Sequence, residues 1–183
     1  MKPTKFKFSR NTIVMALTSM FNDIGSEMLI PYLPAIIVTL FHGPVIVVGI
    51  FLGFSQFLAK ATSVYFGNMS DKKDKRKVFI VSGYSISAIM KAMLTTATVW
   101  ISFVGYYLIE RLGKGIRESP RDALLAESEP EKNRGAAFGF RKFFDNAGAI
   151  IGPLIALGLF AYLSTTPTTD ILKLIILIAV IPS

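Results

Sequence analysis

Residues 21–31 read "FNDIGSEMLIP" and sit inside a longer apolar run, "TIVMALTSMFNDIGSEMLIPYLPAIIVTLF" (12–41). The run is long and greasy enough to cross a bilayer. Yet it carries two carboxylates, an Asn and a Ser near its middle. Each intramembrane acid costs at least ~2.5–3.5 kcal/mol to insert, so a chain that keeps two of them puts them to use. The class of the fold rests on whether this run spans lipid.

Composition favours lipid. Of 183 residues, 52% are hydrophobic and 17% charged, and the mean hydropathy is +0.53. A globular domain carries about 25% charged residues. A soluble chain this apolar would have to be almost wholly buried, which this length does not allow. The net charge of +8 and pI near 9.8 also fit a nucleic-acid binder. However, the basic residues cluster in short breaks beside apolar runs and form no basic face on a soluble domain, so no nucleic-acid partner is expected. There is no Cys, one His and no metal-ligand spacing, so no disulfide, cofactor, metal or enzymatic function is expected.

Apolar segments fall at about 12–41, 44–66, 78–98, 99–125, 136–163 and 171–183. In lipid each must satisfy its own backbone groups, so each is read as a helix. The breaks are "HGP" (42–44), "GNMSDKKDKRK" (67–77), "TTATVW" (95–100), "ESEPEKNRG" (127–135) and "STTPTTD" (164–170). Lys2, Lys5, Lys7 and Arg10 precede the first segment. Lys72, Lys73, Lys75, Arg76 and Lys77 fill the second break, and Lys132 and Arg134 the fourth. The other breaks hold no Lys or Arg. This asymmetry predicts a cytoplasmic N-terminus and cytoplasmic even-numbered breaks. The basic start looks like a signal peptide, but the apolar run after it is too long for a signal core, so a retained first span is expected. The fold class is therefore all-α: a polytopic membrane protein with six transmembrane helices. A cytoplasmic segment covers 1–11 and a six-helix body covers 12–183. The sixth segment, 171–183, rises roughly 20 Å against a ~30 Å core, so it is expected to be truncated.

On a helix, Ser19, Asn22, Asp23, Ser26 and Glu27 share an arc of about 140°, with Met20, Ile24 and Met28 opposite. This stripe is expected to face protein or water, either as an ion or substrate path or as interhelix glue. Pro31 and Pro34 predict a bend just beyond it. In the fourth segment Glu110, Arg111, Lys114, Arg117, Glu118, Arg121 and Asp122 fall within a similar arc. That face suits an acidic stripe or an anionic substrate. Alternatively it is a solvated half-helix laced with i,i+4 pairs such as Glu110–Lys114. The fifth segment puts Arg141, Asp145, Gly148, Gly152 and Ala156 on one side, and Gly148 and Gly152 allow close helix approach. Lys60 is placed to snorkel. Lys91 either snorkels or meets an acid of the first helix.

These motifs resemble the major facilitator superfamily. "GNMSDKKDKRK" is similar to its loop between helices 2 and 3, G-x-L-a-D-r-x-G-r-[KR]-[KR], with Gly67, Asp71, Lys75 and Arg76 on the pattern. Asp74 stands in place of the second glycine, which leaves the tight turn open. "RLGKG" resembles the helix 4 motif R-x-x-q-G through Arg111 and Gly115, with Lys114 in place of Gln. "GAIIGPLIALG" resembles the helix 5 motif G-x-x-x-G-P-x-x-G-G through Gly148, Gly152 and Pro153. "PYLP" fits the proline pair of helix 1. The resemblance runs the length of the chain in order. It implies the N-terminal six-helix half of a secondary transporter in a bacterial cytoplasmic (inner) membrane. The other half is either absent or supplied by a homodimer mate. It also implies a small-molecule solute, proton or cation coupling and a rocking alternating-access cycle. Asp23, Glu27, Arg111, Lys114 and Asp145 are the transport and coupling candidates. Gly67, Asp71, Lys75 and Arg76 would gate. Pro31, Pro34, Gly148, Gly152 and Pro153 would pack or hinge helices. A non-transporting remnant, assembly partner or regulator is the alternative.

Overall fold

The computed structural model describes residues 7–163 and 168–182, and within them the chain forms six helical rods and no strand. They are α1 (Arg10–Leu40), α2 (Val45–Lys73), α3 (Arg76–Leu94), α4 (Trp100–Ser128), α5 (Glu131–Tyr162) and α6 (Thr168–Val180). By length and composition α1, α2, α3 and α5 are long and apolar enough to cross a membrane. In α4 the charged face dilutes the apolar run. In α6 13 residues are too few. Lys2 and Lys5, part of the fifth break and Ser183 lie outside the described residues.

Helix ends follow local chemistry. Ser9 caps α1, its hydroxyl accepting from the Thr12 amide at 3.2 Å. Beyond Leu29 the rod tightens into a 3₁₀ turn at Ile30–Tyr32, then widens into a π-helix at Ile36–Leu40, where the Phe41 amide donates to the Ile36 carbonyl. The proline pair thus loosens α1 where expected, because Pro31 and Pro34 cannot donate to the α-helical ladder. The charged breaks are shorter than the sequence suggests. α2 continues to Lys73, and α4 and α5 are separated only by Glu129 and Pro130. Polar residues beyond the apolar core still form helix. The chain turns between α2 and α3 at Asp74, with φ 50° and ψ 34°. A left-handed residue makes the turn without glycine, and Asp is among the few that tolerate it.

The main helix pairs are α3 with α4, α1 with α5 and α2 with α4. Glycine sets all three contacts, and on Gly115 of α4 a Cβ would lie 2.5 Å from the Ala59 carbonyl oxygen of α2. A Cβ on Gly83 of α3 would lie 2.7 Å from the Gly113 carbonyl oxygen of α4. Cβ atoms on Gly148 and Gly152 of α5 would lie 2.6 and 2.5 Å from the Met20 and Ile24 carbonyl oxygens of α1. Backbone meets backbone there, as the glycine spacing requires. Ile24 and Met28, on the face of α1 opposite its polar stripe, are therefore buried under α5. Both faces of α1 meet protein. An apolar cluster from Met28 to Ile37 on α1, with Phe51, Phe103, Tyr107 and the α6 residues Ile171–Ala179, fills one end of the bundle. Large apolar side chains such as Ile50, Phe57, Val64, Val81, Ile101, Ile150 and Leu154 stand exposed around the outside, as a lipid-facing belt does.

Candidate functional site

α1 and α4 run antiparallel, and their polar faces meet as a ladder. Arg121 donates to the Ser19 hydroxyl at 2.6 Å. Arg117 donates to the Asn22 side-chain oxygen at 2.6 Å. Lys114 reaches Asp23 at 3.3 Å and Glu27 at 3.4 Å. Ser26 donates to Glu110 at 3.2 Å. On α4 the rungs step by four, three and four residues, and on α1 Ser19, Asn22 and Ser26 step by three and four, as residues sharing a helix face do. Ser19, Asn22, Asp23 and Ser26 are all buried. Each interhelix bond of this kind contributes about 0.6–2 kcal/mol in a membrane, so the ladder fixes the register of α1 on α4.

The buried side of α4 differs from the solvated half-helix that its charges also allowed. Arg117 and Arg121 are 2% and 7% exposed. Arg117 also donates to Ser87 of α3 at 2.6 Å, and its guanidinium lies over the Tyr84 ring. Glu110 and Lys114 do not pair with each other. Glu110 turns to Ser26 and to Arg111, 3.3 Å away, while Lys114 turns to α1. Interhelix partners win because α1 presents a carboxylate pair at closer register. Lys91 is 1% exposed and donates to the Asn22 main-chain carbonyl at 3.0 Å, so it does not snorkel. Lys60 does reach outward, and pairs with Glu118 at 2.5 Å.

Between α1, α2, α4 and α5 lies a polar cavity of about 260 Å³. Asp23, Glu27, Lys114 and Asp145 stand on its wall, joined by Gln56, Lys60, Glu118, Arg121, Arg141 and Lys142. Four of the five expected coupling residues are thus together. The fifth, Arg111, lies behind the wall, 1% exposed, bonded to the Tyr107 hydroxyl and stacked over its ring. Asp145 accepts from Ser19 at 2.6 Å and faces Arg141 at 3.2 Å, which also meets Asp122 at 3.3 Å. Ser19 therefore relays between Arg121 and Asp145. The sequence reading did not single out Gln56, Asn146 or Ser87. Gln56 left a signal, a lone amide in the apolar run "VGIFLGFSQFLA".

At the end of the bundle carrying Asp74, Arg76 bridges Asp71 at 3.2 Å and Glu127 of α4 at 2.6 Å. Gly67 packs against Ser119 of α4 with no room for a Cβ, and Lys75 is exposed. Nearby, Glu129 ties the start of α1 to the α4–α5 turn. It accepts from the Ser9 amide at 2.6 Å and the Thr12 hydroxyl at 2.7 Å. Burial opposes its charge, but these hydrogen bonds outweigh it and hold the carboxyl below the ordinary glutamate range.

A family model described as the Major Facilitator Superfamily matches residues 15–182. The chain is 40% identical over 157 residues to an uncharacterised MFS-type transporter of Methanocaldococcus jannaschii, covering 86% of this chain and 39% of that protein. It is 26% identical over 149 residues to an uncharacterised MFS-type transporter of Bacillus subtilis, covering 81% of this chain and 36% of that protein. It is 32% identical over 118 residues to the Multidrug resistance protein MdtH of Photorhabdus laumondii, covering 64% and 29%. The chain thus spans well under half the length of these relatives.

Proposed function

This chain belongs to the major facilitator superfamily, and on that premise we propose that it forms one wall of a proton- or cation-coupled carrier for a small organic solute. It is a multi-pass membrane protein. The proposed cycle is alternating access, with the second wall supplied by another six-helix unit, either a further half or a second copy. The name of the Photorhabdus relative supports an organic solute. The lysines around Asp74 support placing that end in the cytoplasm, with the protein in a cytoplasmic (inner) membrane. In this reading the Asp71–Arg76–Glu127 bridge latches the cytoplasmic side.

One observation carries the proposal: a single ammonium, Lys114, is shared by two carboxylates on the wall of a polar cavity. Two acids and one base leave one negative charge in a place where charge is expensive. A proton or a cationic group on the solute neutralises it. Lys114 then needs only one partner, and the α1–α4 ladder loosens at its centre. Coupling follows because the same two carboxylates hold the ladder and receive the cation.

Asp23→Asn tests this. In proteoliposomes with an imposed pH gradient, uptake across a panel of labelled small organic solutes should fall at least about tenfold, with membrane insertion and helicity unchanged. Unchanged uptake in the variant rules out the carboxylate role.

A further inference from the structure

The cavity is not uniform in sign, and the two ends are set by different helices. At the α1 end, Lys114 is the one cation within 4 Å of Asp23 and Glu27 among the described residues, at 3.3 and 3.4 Å. Both distances are long for charge-assisted bonds, so neither carboxylate is fully satisfied. At the other end stand Arg121, Arg141 and Lys142 with Asp145. Arg141 is 8% exposed. Its Nη1 lies within 3.3 Å of Asp122 and Asp145 without forming a hydrogen bond, and its Nε meets no acceptor among the described residues. The Arg121 Nε is likewise buried without a hydrogen bond among the described residues, 3.7 Å from the Asp122 carboxylate. An arginine cannot shed its proton, so Arg121 and Arg141 keep both charges, held only at ion-pair distance by Asp122 and Asp145 among the described residues, while Lys142 adds a third cation on the wall.

The remaining charges on the wall are already engaged. Lys60 closes on Glu118 at 2.5 Å, and Arg117 turns away to Asn22 and Ser87. What is left is one carboxylate beyond the single ammonium at one end, and at the other three cations, Arg121, Arg141 and Lys142, against the two carboxylates of Asp122 and Asp145. Lys114 and Arg121 mark the two levels. They lie seven residues apart on one helix, hence about 10 Å along its axis.

We infer that the solute held at this site is a zwitterion, with a cationic amine against Asp23 and Glu27 and a carboxylate or phosphate-like anion against Arg121, Arg141 and Lys142. The inference rests on the transport reading of the same cavity and names its substrate class. A plain cation balances the carboxylate end and leaves the other end with one cation beyond its two carboxylates. A plain anion does the reverse. A zwitterion with charges about two helical turns apart satisfies both, and brings no net charge into the low-dielectric span.

The test uses the full chain in nanodiscs and three matched probes: 8-aminooctanoate, its methyl ester and its N-acetyl derivative. Extended, the parent spans about two turns of helix. Equilibrium dialysis should give the parent about tenfold tighter binding than either derivative, the worth of one charge-assisted contact. Lys142→Gln, at an exposed position, should narrow the advantage over the methyl ester and leave that over the N-acetyl derivative. Glu27→Gln should do the opposite. Equal binding of parent and either derivative overturns the inference, as does absence of parent binding. Flux of the parent into proteoliposomes is scored separately. Preference without flux overturns the transport reading and leaves the ligand class standing. Flux without preference does the reverse.

Discussion

Asp74 holds the α2–α3 turn in the left-handed region, where any Cβ is penalised. Asp74→Gly should therefore stabilise the chain by about 0.5–1 kcal/mol, and Asp74→Val should destabilise it by a similar amount or more. Thermal unfolding in detergent reads both, and a destabilising Asp74→Gly contradicts the account. The same scale shows what sequence can and cannot say of a side chain. The stripe of Ser19, Asn22, Asp23, Ser26 and Glu27 was legible because helical period alone puts those residues on one face. The partner of Lys114 was not. Its own helix offers Glu110 at i−4, and only the register against α1 decides that Asp23 and Glu27 lie closer. Lys91 left both routes open for the same reason. Its stem is long enough to reach water, and its bond to the Asn22 carbonyl of a neighbouring helix, which helps hold it inside, depends on a register that its own helix does not encode.

Helices were legible as elements, but their ends and mutual faces less so. Apolar runs located all six rods. They underestimated α2, α4 and α5, because charged residues past the lipid boundary still hydrogen-bond as helix. The Glu129 clamp on Ser9 and Thr12 had no sequence signal, since its partners are 120 and 117 residues away. Close packing of α5 was legible from Gly148 and Gly152, and it is sharp enough to test. Gly152→Ala would place a Cβ 2.5 Å from the Ile24 carbonyl oxygen and 2.9 Å from the Met28 amide. Backbone cannot step aside as a side chain does, so α5 must lift off α1. The expected loss is about 1–3 kcal/mol. Gly158→Ala, six residues along the same helix with open space at its Cβ, should be neutral or gain up to about 1 kcal/mol from helix propensity. Equal melting temperatures for the two variants would show that backbone contact does not hold α1 to α5.

Across the whole molecule, glycine-set contacts bind α1 to α5, α3 to α4 and α2 to α4, while the contact between α1 and α4 is a polar ladder with a charged cavity beside it. An apolar belt surrounds this interior. The central claim is that the polar faces line a water-filled path and the belt faces lipid. The chain has no cysteine, so single cysteines report on this cleanly. Neighbouring residues divide the two environments. Gln56 and Ala149 line the cavity, whereas Phe57 and Ile150, one position on, are 66% and 61% exposed on the apolar belt. In native membranes, a charged membrane-impermeant maleimide added to both sides should label Gln56→Cys and Ala149→Cys. It should leave Phe57→Cys and Ile150→Cys unmodified. Labelling of the second pair, or protection of the first, would contradict the account.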